Sequence, residues 1–285
     1  MAYVVDIKDA EKNFPDYSFV RALTPSEQKA AFHVKDKSGA DLCLKLISPN
    51  YERDRFDREI LALQAINHPN VVKLIEYTFS SKPGQQRHYI VEEFVEGQDF
   101  QDLLISEKPL LIKYVVEFFS SLSDGLSALK EQEIVHRDMK PANIRVRPSG
   151  SPVIIDFGLA RHLKLPALTQ TIAGAAIGTP RYFAPEQFDG TKHDIDHRTD
   201  LFAFGILLYE ALTGESPFYD PKTIRTESQL RQAVCESTVH LTKSSFQGLG
   251  QNWKILLTRL LEKERVKRPS DARQVGAILR KMGGL

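Results

Sequence analysis

Residues 134–158 read Ile-Val-His-Arg-Asp-Met-Lys-Pro-Ala-Asn-Ile-Arg-Val-Arg-Pro-Ser-Gly-Ser-Pro-Val-Ile-Ile-Asp-Phe-Gly. Two short apolar runs flank a turn signal at Pro148-Ser149-Gly150, which predicts an antiparallel hairpin. Asp138, Lys140, Asn143 and Asp156 stand among apolar neighbours along this stretch. A hairpin here would bring Asp138, Asn143 and Asp156 to one end of a sheet. Two carboxylates and an amide converging at one place suit Mg²⁺, which takes oxygen ligands and leaves positions for phosphate.

His136-Arg137-Asp138-Met139-Lys140-Pro141-Ala142-Asn143 resembles the catalytic loop of the eukaryotic-type serine/threonine protein kinase family. Asp156-Phe157-Gly158 resembles that family's metal-binding motif. The resemblance implies that Asp138 accepts the substrate hydroxyl's proton, that Lys140 stabilises the transferring phosphate, and that Asn143 and Asp156 hold metal. It also implies a two-lobed α+β fold: an extension over 1–16, a small β-rich lobe over 17–93, a hinge over 94–99 and a mainly helical lobe over 100–285.

Outward to the N-terminal side, 17–23, 29–35 and 42–47 read as strands, with a turn at 36–41. Residues 55–66 place Phe56, Ile60 and Leu63 on one helical face, with Glu59 beside it. By resemblance Lys45 is the strand-three lysine that grips the α- and β-phosphates, and Glu59 is its ion-pair partner. Residues 89–95 form a further strand leading to the hinge, where Glu93 and Val95 would offer backbone groups to adenine and Asp99 would meet the ribose. Thr24, Ser26, Lys29, Ala31 and Cys43 complete the ATP-binding set in the small lobe.

Three features depart from the family pattern. The segment Leu23-Thr24-Pro25-Ser26-Glu27-Gln28-Lys29 holds no glycine where relatives carry a glycine-rich phosphate loop. Glycine lets amides approach phosphates without a Cβ in the way, and Pro25 has no amide to donate. Either the loop is held open, or Lys29 or Thr24 contacts phosphate instead, and nucleotide affinity is expected to be weaker. Glu92 stands at the usually apolar gatekeeper position, so it needs a partner or a raised pKa; Lys45 is the nearest candidate. Arg145 replaces the apolar floor beneath adenine and would lay its guanidinium against the base.

On the C-terminal side, 100–105 and 113–130 read as helices, and 201–212 is an apolar run too short to cross a bilayer, hence a buried helix. Gly178-Thr179-Pro180-Arg181-Tyr182-Phe183-Ala184-Pro185-Glu186 resembles the substrate loop. Thr179 would bridge Asp138 and Lys140, and Glu186 would pair with Arg268. Asp200 is either a helix N-cap or, by resemblance, the anchor of the backbone around His136 and Arg137. Phe157 belongs to the same framework. Thr169 and Thr171 occupy positions where activation-loop phosphorylation occurs in relatives, and a phosphate there would pair with Arg137.

The chain has 285 residues, 42% hydrophobic and 26% charged, with a net charge of +1. Such balance is ordinary for a soluble globular protein and gives no electrostatic reason for a nucleic-acid or anionic-membrane partner. The N-terminal residues lack the apolar run of a signal peptide, no stretch is long enough to span a membrane, and Cys43 and Cys235 have no metal-ligand spacing. A reduced, cytoplasmic chain is the expectation. The expected activity is transfer of the γ-phosphoryl of ATP, with Mg²⁺ or Mn²⁺, to Ser/Thr hydroxyls of proteins, the chain itself included. One alternative is a pseudokinase scaffold with weak or absent nucleotide binding, suggested by the glycine-free loop, Glu92 and Arg145. A kinase-fold enzyme acting on a small molecule ranks last, because Ala-Pro-Glu, Asp200 and Arg268 are all present.

Overall fold

The computed structural model describes residues 2–79, 88–163, 180–188, 195–237 and 249–284. Helix α1 (Ile7–Asn13) starts at Asp6, whose side chain accepts from the Lys8 amide, and precedes strands β1 (Ser18–Ala22), β2 (Lys29–Lys35) and β3 (Asp41–Ile47). Helix α2 (Arg53–Ala65) follows, then β4 (Leu74–Phe79) and β5 (His88–Glu93). The five strands form one antiparallel sheet in the order β1-β2-β3-β5-β4.

Alternation along these strands gives the sheet two different faces. Ala30, Phe32, Val34, Leu42, Leu44, Leu46 and Val91 form an apolar face on which Ala10 and Phe14 pack, with Tyr3, Val5 and Ile7 beside them. The opposite face carries Ile47 and Ile90, which meet Phe56 and Ile60 of α2 and the ring of Tyr51. Lys29, Lys45 and Glu92 project from that same face, because β2 pairs Lys29 with Ile47 and Ala31 with Lys45, and β5 pairs Ile90 with Lys45 and Glu92 with Cys43. Polar groups therefore gather between the sheet and α2.

The second lobe opens with β6 (Gln98–Asp99), α3 (Phe100–Glu107) and α4 (Ile112–Glu131). Short strands β7 (Ile134–Val135), β8 (Ile144–Val146), β9 (Pro152–Ile154) and β10 (Arg161–His162) come next. β8 and β9 are the hairpin expected around Pro148-Ser149-Gly150, with Ile144 opposite Ile154, and β6 adds to its edge. Helices α5 (Pro185–Phe188), α6 (His197–Thr213), α7 (Glu227–Glu236), α8 (Gln251–Leu260) and α9 (Ala272–Gly283) complete the lobe.

The apolar run at 201–212 lies within α6, nearly all of it buried. A helix apolar all round belongs in the middle of a lobe, and α6 accordingly lies between α4 and α8. α9 lies close against α4 because Gly276 has no side chain; a Cβ there would fall 2.2 Å from Ser123 Oγ. Among the described residues, no helix is long and apolar enough to cross a membrane.

Candidate active site

Two buried ion pairs line the sheet side of the cleft. Lys29 Nζ donates to Glu59 Oε1 at 2.5 Å and to Asp156 Oδ1 at 2.9 Å. Tyr51 Oη donates to the other Glu59 oxygen at 2.9 Å, so both oxygens of this fully buried carboxylate are engaged. Lys45 Nζ lies instead 2.6 Å from Glu92 Oε2. The expected Lys45–Glu59 pair is thus corrected: Lys29 holds Glu59, and Lys45 turns along the sheet to Glu92. The register supplies the reason. Glu92 sits on the adjacent strand, one diagonal step from Lys45, whereas Lys29 opens β2 at the end of the sheet nearest Asp156 and Glu59.

The electrostatics follow from these contacts. Burial works against the charged form of Lys29, but Asp156 and Glu59 overcome it and raise its pKa well above the usual lysine value. Burial alone would raise the Asp156 carboxyl; Lys29 and then Lys45 reverse this and hold it well below the ordinary carboxylate range. For Lys45, burial is outweighed by Glu92 and the pKa rises to about 12. Among the described residues Glu92 Oε1 has no hydrogen-bond partner, and burial lifts this carboxyl despite Lys45.

The glycine-free loop is folded on itself. Ser26 N donates to Lys29 O at 2.9 Å, and Ser26 Oγ accepts from the amides of Gln28 and Lys29 at 3.3 and 3.1 Å. Tyr3 N, from the segment before α1, donates to Ser26 O at 2.8 Å. Three of the amides a phosphate would need are already used, and Pro25 supplies none. Thr24 lies in this loop, while Ala31 and Cys43 sit on the cleft face of β2 and β3.

Hinge and floor are joined by Arg145, the middle residue of β8. Its guanidinium donates to Val95 O at 3.2 Å, to Gly97 O, and to Asp99 Oδ1 at 2.9 Å. Three acceptors around residues 95–99 hold the edge of the guanidinium, Asp99 Oδ1 among them. Glu93 directs its own carboxylate to Arg147 at 3.2 Å and to the Lys73 amide at 3.1 Å.

The loop that carries Asp138 is tied by α6. Asp200, buried in the first turn, accepts from the amides of His136 and Arg137 at 2.8 and 2.9 Å. Asp196, not Asp200, is the N-cap. Arg137 takes a φ of 64° and Asp156 a φ of 61°, left-handed backbone that side chains adopt only under constraint. Phe157 is fully buried with its ring edge-on to His136 at 4.9 Å.

These ties fix Asp138. Lys140 Nζ donates to Asp138 Oδ2 at 2.7 Å, and Asn143 Nδ2 donates to the same oxygen at 2.9 Å and to Asp138 O at 2.8 Å. With its amide hydrogens on Asp138, Asn143 presents its carbonyl oxygen as the acceptor. An oxygen ligand from Asn143 and a carboxylate held ionised at Asp156 fit a divalent cation of the Mg²⁺ type.

The segment that ends in Ala184-Pro185-Glu186 closes on Arg268, whose side chain is fully buried. Arg268 donates to both oxygens of Glu186 at 2.8 Å, and Thr199 Oγ1 adds a third bond at 2.8 Å. Thr169, Thr171 and Thr179 lie outside the described residues. Sequence reasoning missed three contributors. Tyr51 holds Glu59, Gln187 Nε2 donates to Arg137 O at 2.9 Å, and Tyr182 Oη donates to Glu210 at 2.9 Å. None carries a local signal: Gln187 and Tyr182 act on partners 50 and 28 positions away, and Tyr51 lies before the helix that carries Glu59.

The description "Protein kinase domain" matches residues 29–278. The serine/threonine-protein kinase PknB of Mycobacterium tuberculosis (strain ATCC 25177 / H37Ra) is 34% identical over 183 residues, 62% of this chain and 29% of that protein. The serine/threonine-protein kinase pkn2 of Myxococcus xanthus is 34% identical over 232 residues, 79% of this chain and 27% of that protein. A probable serine/threonine-protein kinase PknB of Lactococcus lactis subsp. lactis is 31% identical over 214 residues, 73% of this chain and 33% of that protein. The chain thus spans about a third or less of the length of these relatives. Its sheet-rich first lobe, its helical second lobe and its matched extent agree: the chain belongs to the protein kinase family.

Proposed function

We propose that this chain is a serine/threonine protein kinase that moves the γ-phosphoryl of ATP to a hydroxyl of a protein substrate. One observation carries the reading. Asp138 is held on Oδ2 by Lys140 and Asn143, which leaves Oδ1 as the oxygen that would meet a substrate hydroxyl. Asp138 Oδ1 would take the hydroxyl proton as the substrate oxygen bonds to the γ-phosphorus. The bond from that phosphorus to the β-bridging oxygen then breaks and ADP departs. Lys140, beside Asp138, would balance charge on the moving phosphoryl group.

Asn143 and Asp156 would hold a divalent cation, Mg²⁺ by preference, which when bound neutralises phosphate charge. Positioning and electrostatics supply most of phosphoryl-transfer catalysis, and the fixed geometry of Asp138 and its neighbours provides both. The relatives named as serine/threonine-protein kinases support the same reading over a pseudokinase. A cytoplasmic location belongs to the proposal and is supported by Cys43 and Cys235, which both keep their thiols.

The test uses γ-labelled ATP with Mg²⁺, the purified chain and a generic protein substrate, with labelled residues mapped by mass spectrometry. Label on Ser or Thr that disappears in Asp138→Asn is the expected result. An equal level of label in the variant would refute the assignment of Asp138.

A further inference from the structure

We propose that Lys29, on β2, is the lysine that grips the phosphates of ATP, and that Lys45 on β3 has been withdrawn from that task by Glu92. The proposal rests on the reading of this chain as an ATP-dependent kinase and deepens it. A phosphate-gripping lysine must be fixed by the helix carboxylate and must stand beside the metal-binding carboxylate, so that its charge faces the phosphate chain. Lys29 meets both conditions. Its Nζ is bonded to Glu59 on α2 and to Asp156, while Tyr51 holds the second Glu59 oxygen. Lys45 fails the first, because its ammonium is 2.6 Å from Glu92 on the neighbouring strand, and on Asp156 its charge ranks behind that of Lys29.

The loop supplies an independent argument. A glycine-rich loop binds phosphates through backbone amides. Here the amides of Ser26, Gln28 and Lys29 bond within the loop, and position 25 is proline. Positive charge for the phosphates must therefore come from a side chain near the loop, and Lys29 is the residue on which the loop closes. A lysine has three ammonium hydrogens, so Lys29 can keep Glu59 and still donate to a phosphate oxygen.

The test compares the wild type with Lys29→Met, Lys29→Met/Glu59→Gln and Lys45→Met/Glu92→Met. The two double variants remove a lysine together with its glutamate, and in the first of them Asp156 keeps the nearby charge of Lys45. ATP binding is measured by calorimetry in EDTA and in Mg²⁺, phosphotransfer with labelled ATP, and folding by thermal melting. Both Lys29 variants are expected to weaken ATP by about 10- to 100-fold in EDTA, the worth of one charged hydrogen bond, and to lose phosphotransfer. Lys45→Met/Glu92→Met is expected to bind ATP within about fivefold of wild type, since no charged hydrogen bond to ATP is lost. Wild-type affinity in a folded Lys29→Met/Glu59→Gln protein overturns the proposal, as does selective loss in Lys45→Met/Glu92→Met. Should the wild type bind ATP without transferring phosphate, the kinase reading falls while the EDTA comparison still decides on Lys29. A wild type that binds no ATP overturns both.

Discussion

Replacing Arg268 with Met removes one partner of a buried ion pair in the helical lobe. Arg268 is 3% exposed and donates to both Glu186 oxygens, to Arg198 O at 3.0 Å, to Glu262 O at 2.8 Å and to Lys263 O at 3.1 Å. Met fills most of the apolar volume but leaves Glu186 with only Thr199 as a side-chain donor. Breaking a buried pair from one side costs about 3–5 kcal/mol. For a chain of this size that lowers the melting temperature by roughly 10 °C.

The pH dependence supplies a sharper check. Burial would raise the Glu186 carboxyl, but the bonds and charge of Arg268 hold it below its ordinary value. In the wild type the unfolded chain therefore binds more protons at this residue, so the contribution of Glu186 to stability is present above about pH 4.5 and is lost as pH falls. Without Arg268 only Thr199 and a backbone hydrogen bond oppose burial, the native state binds the proton more tightly, and the sign is expected to reverse. The cost of Arg268→Met should grow from about pH 4 to pH 7. Urea unfolding of both proteins across that range measures it, with Glu186→Met/Arg268→Met expected to be milder than the single change. A cost below about 1 kcal/mol, or one that does not vary with pH, would refute the reasoning.

Three further outcomes follow from other contacts. Glu210, beside Tyr182, is pushed up to about 7 by burial, so its contribution to stability is full below about pH 4.5 and declines as pH rises to 7; Glu210→Gln should abolish this slope, worth at most about 3 kcal/mol, in denaturant titrations at several pH values. Gly97 has a φ of +120°, and a Cβ there would lie 1.9 Å from Val146 O; Gly97→Ala should part β6 from β8 and cost at least about 2 kcal/mol, so an unchanged unfolding midpoint would count against this geometry. Arg145→Leu should release Asp99 and the hinge carbonyls for a nucleotide and lower KM for ATP by roughly fivefold, the net worth of one hydrogen bond, whereas a raised KM would show Arg145 itself contacting ATP.

What was legible in the sequence was local. The β8–β9 hairpin could be read because apolar runs and a Pro-Ser-Gly turn lie next to each other, and α4 matched to within a residue because its apolar face repeats over many turns. The α1 helix was not legible. Seven residues are too few for a clear period, and α1 is fixed by packing Ala10 and Phe14 on the sheet rather than by its own pattern. Arg145 was legible as an anomaly but not as a hinge clamp, since its three acceptors lie about 50 positions away.

The exchange of lysines shows why identity of motif does not give identity of contact. Lys29, Lys45, Glu59, Glu92 and Asp156 are gathered between one sheet face, α2 and the residue after β9, and each buried charge must find an opposite one. Had the gatekeeper been apolar, Lys45 would have had Glu59 or Asp156 as its available partner. With Glu92 present, the shortest pairing within the sheet takes Lys45, and Glu59 is left for a second cation. Lys29 stands at the strand end nearest to it, placed there by a loop that turns through Ser26 instead of glycine. Gatekeeper, loop and β2 lysine are thus three parts of one change. Removing the β2 lysine alone leaves Glu59 without its cation unless Lys45 gives up Glu92, and this coupling is what a substitution-by-substitution reading of the motifs overlooks.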